Sequence, residues 1–102
     1  MVVNPITVYG TSTDIKALND KEVYIDVDYS GLGLKEPPYH VQAMVTCRLH
    51  CAKFLYGNQV FNLTKDGFRV YLLNLFYPDF TPENLLKKDK VELHWYIEAN
   101  LK

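Results

Sequence analysis

Val91-Glu92-Leu93-His94-Trp95-Tyr96-Ile97-Glu98-Ala99 alternates without a break. Val91, Leu93, Trp95, Ile97 and Ala99 fall on one side, and Glu92, His94, Tyr96 and Glu98 on the other. A period of two is that of a β-strand with one buried face. Trp95 is therefore expected in the core, and His94 on a surface or interface where it is hydrogen-bonded. The same period runs through Lys21–Asp28, Tyr39–Thr46 and Phe68–Leu73. Shorter strands are expected at Ile6–Tyr9, at Val60–Leu63 and in part of Leu49–Tyr56. Turn residues stand between them. Ser30-Gly31-Leu32-Gly33 and Glu36-Pro37-Pro38 enclose one loop, and Tyr56-Gly57-Asn58 and Lys65-Asp66-Gly67 read as tight turns. Only Thr81–Lys88 departs from the pattern. Thr81 suits an N-cap, Pro82 the first helical position, Glu83 the positive end, and Lys87 and Lys88 the negative end of a short helix. The expected fold is all-β: one domain over residues 1–102, a six- or seven-stranded antiparallel β-sandwich with one short helix in the C-terminal third.

The remaining composition narrows the function. The chain has 102 residues, 48% of them hydrophobic and 23% charged, which excludes a disordered polymer. A net charge of −1 creates no field for nucleic acid or an anionic membrane. The longest apolar run, Val70–Tyr77, falls short of the roughly 20 residues that a membrane helix needs. Met1-Val2-Val3-Asn4-Pro5 has no basic and apolar leader pattern, so the expected location is cytoplasmic, or exported without a leader. No cofactor motif is visible. Gly31 and Gly33 follow a strand but lead into Pro37-Pro38 rather than into a phosphate-binding helix. Asn62-Leu63-Thr64 matches the glycosylation acceptor pattern, which matters only in an exported chain.

Three constellations carry possible chemistry. Asp26 and Asp28 are two apart on a strand, so their carboxylates would lie roughly 7 Å apart on one face. That spacing suits glycoside hydrolysis, but a solvated strand face produces the same pair. Cys47-Arg48-Leu49-His50-Cys51 offers three readings. Buried free thiols are the plainest, a disulfide needs a bulge or turn, and zinc would take Cys47, His50 and Cys51 with His40 or His94 as a distant fourth ligand, although the second close ligand pair of a structural zinc site is missing. In an extended segment the two cysteines would be roughly 13 Å apart. Cysteine–histidine nucleophilic catalysis would also need an orienting third group and an oxyanion site. The third feature is aromatic. Tyr24, Met44, Tyr71, Leu73 and Tyr96 lie on the strand faces opposite the expected core. One sandwich covers one face of each sheet, so these residues suit contact with further copies of the chain.

The order Val23-Tyr24-Ile25-Asp26-Val27, Pro37-Pro38-Tyr39-His40-Val41, Phe61–Val70 with its Gly67-Phe68 turn, and the Trp95 strand resembles the H-type lectin domain of snail agglutinins and slime-mould discoidins. Tyr9-Gly10-Thr11-Ser12 is similar to the start of related phage and bacterial domains, and the resemblance spans about Thr11 to Ala99. It implies a non-enzymatic six-stranded sandwich that forms homotrimers, sometimes stacked in pairs. It also implies glycans of galactose or N-acetylgalactosamine type bound in clefts between subunits. Of that family's sugar-site residues, Asp14 stands at the matching distance before Val23. The family's arginine falls near Leu55, where only Lys53 is basic, and its aromatic–histidine pair is replaced by Phe76-Tyr77. The expected ligand-binding residues are thus Asp14, Lys53, Phe76 and Tyr77, with no metal. The alternative expectation is a trimerising assembly domain of a larger complex that binds no sugar.

Overall fold

The computed structural model describes residues 4–56 and 59–101, so the turn expected at Gly57-Asn58 lies outside the described residues. The chain folds as two antiparallel sheets around one core. In order it forms β1 (Pro5–Ser12), β2 (Ile15–Ala17), β3 (Glu22–Asp28), β4 (His40–Thr46), β5 (Phe54–Tyr56), β6 (Gly67–Asn74), helix α1 (Pro82–Lys87) and β7 (Glu92–Asn100). One sheet has the order β1-β7-β4 and the other β2-β3-β6-β5.

The decisive alternation around Trp95 becomes β7, the central strand of its sheet. β1 runs along one side of it from Pro5↔Asn100 to Ser12↔Leu93. β4 runs along the other side from His40↔Glu98 to Thr46↔Glu92. Leu93, Ile97 and Ala99 are fully buried. They join Val23, Ile25 and Val27 of β3 and Phe68, Val70 and Leu72 of β6 in a single apolar cluster. Burial of each large aliphatic side chain is worth about 1.5–3 kcal/mol, so this shared layer dominates the stability of the fold. Trp95 is half-buried against that cluster, with its ring 5.9 Å from Tyr29. β1 carries Gly10 opposite Trp95, because a Cβ there would lie 2.8 Å from the indole. The bare backbone lets the ring approach the strand closely.

Helix α1 follows its expected chemistry. Thr81 Oγ1 accepts from the Asn84 amide at 3.2 Å, and Lys87 pairs with Glu83 at 3.2 Å. Leu85 is the helix residue that enters the core.

Two expectations need correction. Val60–Leu63 is not a strand. Only Phe61 bridges to Arg69, through two backbone bonds of 2.8 Å, and Asn62 then turns to a left-handed φ of 55° that no strand can continue. Cys47 and Cys51 are disulfide-bonded, with Cα atoms 5.8 Å apart, rather than buried free thiols. The cause is the turn over residues 48–50, where His50 takes φ 59° and a 3-10 turn (Cys51–Lys53) follows. The tyrosine-bearing faces are also unequal. On the β3–β6 face, Tyr24 and Tyr71 are half-buried within the chain itself. The Arg69 guanidinium lies 3.8 Å from the Tyr24 ring, and Phe61 meets Tyr71 edge-on at 5.1 Å. On the β1-β7-β4 face, Tyr9 is 78% exposed and Met44 58% exposed.

Candidate functional site

The ladder between β3 and β6 ends at Asp28↔Gly67, and a polar groove of about 510 Å³ opens there. Strand alternation sends Asp26, Asp28 and Arg69 to the side away from the core. The residues between them, Val27 and Phe68, point inward and are buried. Register then places Asp26 directly across from Arg69. Arg69 Nε donates to Asp26 Oδ1 at 2.8 Å, and Lys16 Nζ of β2 donates to Asp26 Oδ2 at 3.3 Å. Lys16 also lies 3.5 Å from Asp14. A smaller hollow of about 370 Å³ continues past Asp14 toward Thr11 and Trp95.

The charges of this end are set by those contacts. Partial burial pushes the Asp26 carboxyl up, but the hydrogen bonds from Arg69 and then Lys16 outweigh it and hold it below its ordinary value. Asp28 is held low by the Ser30 amide, which donates to its Oδ1 at 2.8 Å. Lys16 is held high, first by its bond to Asp26 and then by the Asp14 charge. Asp26 is thus an ionised, fully engaged carboxylate, a poor general acid for hydrolysis. Asp14 is exposed beside it and has oxygens open to solvent. The turn that forms the groove floor is held by Thr64, whose Oγ1 accepts from the amides of Asp66 at 3.1 Å and Gly67 at 3.2 Å.

An Asp26→Asn change is expected to cost about 1 kcal/mol, the usual range for a half-exposed bidentate pair. The folded carboxyl is held below the unfolded one. Its contribution is therefore present above the unfolded value near 4 and disappears as pH falls through the folded value. Urea midpoints at pH 6 and pH 3 check this: the variant should lose stability at pH 6 and match the parent more closely at pH 3.

Of the expected ligand residues, only Asp14 lies in the groove. Lys53, Phe76 and Tyr77 gather at the other end of the β3–β6 ladder, where the Lys53 carbonyl accepts from the Leu75 amide at 3.2 Å and the Phe76 amide at 3.1 Å. The ladder's end pairs, Glu22↔Leu73 and Asp28↔Gly67, are six residues apart along β3, roughly 20 Å. Phe76 is 66% exposed and free to stack. Tyr77 is a correction: it is 2% exposed and offers no stacking face. Its amide donates to Asn74 Oδ1 at 2.7 Å, which swings the ring inward onto His50 and Phe54. Its hydroxyl donates to buried Asp89 at 3.1 Å.

Arg69 and Lys16 were not singled out by sequence. Alternation placed Arg69 on an outer face, but only the register puts it opposite Asp26. His94 matches its expected place, bonded to the hydroxyls of Thr46 at 3.1 Å and Thr11 at 3.3 Å. Among the described residues, no cluster of three or more His, Cys, Asp and Glu side chains is placed to hold a metal. No protein-family model, no curated protein and no solved structure matches the chain.

Proposed function

We propose that this chain is a non-enzymatic, lectin-like module that binds carbohydrate through the groove at the Asp28–Gly67 end and works as a homotrimer. What supports the reading is the groove's composition: Asp14, Asp28, Asn62, Asp66 and Arg69 line one open hollow. Carboxylates accept from sugar hydroxyls, while an amide and a guanidinium donate to ring and hydroxyl oxygens. An uncharged polyhydroxylated ligand suits such a mixed rim better than a phosphate, which Asp14, Asp28 and Asp66 would repel. Similarity to H-type lectins adds the hexose class, galactose or N-acetylgalactosamine, and the trimer. Asp14 and Phe76 lie at opposite ends of one subunit, so they would share a sugar only across two copies. Three weak sites at fixed spacing would then gain avidity from symmetry.

The second reading is a trimerising assembly domain without a sugar. The strong exposure of Tyr9 and Met44 on the β1-β7-β4 face favours it. A glycan array combined with sedimentation separates the two. The lectin reading expects array signal from an oligomer and at least a tenfold loss in Asp14→Asn, the equivalent of about 1.4 kcal/mol. A blank array from a trimer would leave assembly, and a stable monomer at high concentration would remove both.

A further inference from the structure

The Cys47–Cys51 loop sits at the Lys53 end of the fold, apart from the groove. The bond joins residues four apart, so it closes a small ring and restricts the unfolded chain little. Such a link is a weak staple. Within the ring, His50 is held at φ 59°, a left-handed conformation that a histidine adopts at a cost and that opening the ring would release. Both cysteines are half-buried rather than sealed in the core. Arg48, His50 and Lys53 flank them along the chain, and residues 47–56 contain no Asp or Glu.

The histidine is positioned. Its Nδ1 lies 2.8 Å from Asp89 Oδ1, and its ring stacks on Tyr77 with centroids 5.1 Å apart. Asp89 is fully buried, and its Oδ2 has no hydrogen-bond partner among the described residues. A fold that needed only packing there would avoid that cost. The imidazole itself is 31% exposed, and with Nδ1 turned to Asp89 its Nε2 is the nitrogen left to exchange a proton. The reduced form also has a partner ready. Cys47 Sγ lies 3.1 Å from the Leu49 carbonyl oxygen, which would accept from the thiol once the bond opens. An interaction available only to the reduced form makes a disulfide easier to reduce.

We propose that Cys47–Cys51 is a thiol–disulfide exchange centre, with His50 as the proton carrier and Asp89 and Tyr77 as its positioning residues. The substrate class is a low-molecular-weight or protein thiol. A partner thiolate attacks one sulfur, the Cys47–Cys51 bond breaks, and the departing thiolate takes a proton from His50. A second partner thiolate then attacks the partner's sulfur of the mixed disulfide and releases the other cysteine as a thiolate, which takes its proton from solvent. Two partner thiols are oxidised to one disulfide, and the two cysteines are reduced by the same two electrons.

The test equilibrates the full chain with reduced and oxidised glutathione and reads the redox state by alkylation and intact mass. Near-UV circular dichroism follows the fold in parallel. Reversible conversion within a millimolar glutathione buffer, with the fold retained, is expected. The reduced chain should alkylate with a midpoint below the ordinary thiol value near 8.5. In His50→Gln, reoxidation by oxidised glutathione at pH 7 should slow about tenfold, and the alkylation midpoint should rise by about one unit. Arg48, Lys53, Tyr77 and Asp89 are the other titratable groups facing the loop, and none of them is altered. A disulfide that resists glutathione, a chain that unfolds on reduction, or an unchanged rate and midpoint in folded His50→Gln would each overturn the proposal. If the variant fails to fold, the parent's reversible exchange decides alone.

Discussion

Gly67→Ala is expected to destabilise the protein by about 3 kcal/mol or more, far beyond an ordinary glycine substitution. Gly67 opens β6 opposite Asp28, and a Cβ built there overlaps the carbonyl oxygen of Val27. That atom is backbone, so no rotamer change relieves the clash. Relief requires β3 and β6 to move apart where both strands carry buried residues, Val27 and Phe68. The groove suffers too, because Thr64, Asp66 and Arg69 hang on the same turn and strand. Gly31→Ala provides the comparison: nothing lies within 4 Å of its Cβ position, and a change within about 0.5 kcal/mol is expected. Urea denaturation should show a lower midpoint with an unchanged slope for Gly67→Ala and no shift for Gly31→Ala. Equal midpoints for the two variants would show that the ladder yields at its end without cost.

The contrast between these glycines shows which information a linear reading can hold. Long elements announce themselves, because β3, β4, β6 and β7 each repeat the alternation often enough to exceed chance. α1 was legible from Thr81, Pro82, Glu83, Lys87 and Lys88, since capping and end charges are local problems. β2 has three residues, Ile15-Lys16-Ala17, too few for any period, and it exists because β3 offers an open edge. The disulfide was legible only as one of three readings. An extended reading of residues 47–51 kept the sulfurs apart, and no local rule predicts a left-handed histidine. The groove was half legible. Asp14, Asp26 and Asp28 stood out as acids, but Arg69 and Lys16 reach them only through register and through a sheet order that joins distant segments. Tyr77 was misplaced because Phe76-Tyr77 looks like one aromatic pair. Asn74 turns the chain so that one ring faces water and the next faces the core.

Alkali should unfold this protein through two tyrosines. Tyr29 and Tyr77 are both buried, and both phenols are pushed up to about 12. For Tyr29 the first cause is burial, with Asp66 adding repulsion. For Tyr77 it is again burial, reinforced by the hydroxyl's bond to Asp89. The neutral phenol is the form the folded state prefers, so the contribution is complete below the unfolded value near 10. It falls away as pH rises from 10 through 12. Two units amount to about 2.7 kcal/mol per ring without screening. Water near the hydroxyls reduces this to about 1–2 kcal/mol each, or about 2–4 kcal/mol together. A marginally stable domain of this size has few such losses to spare. Urea midpoints at pH 7, 9.5 and 11, followed by Trp95 fluorescence, should drop steeply between the last two. The double variant Tyr29→Phe with Tyr77→Phe gives up two hydrogen bonds, to the Thr64 carbonyl and to Asp89. It should start about 2 kcal/mol lower at pH 7. Its curve should then flatten between 9.5 and 11 and approach the parent's. A variant that instead falls in parallel with the parent would mean that the alkaline loss arises elsewhere, and that these two rings meet hydroxide as readily folded as unfolded.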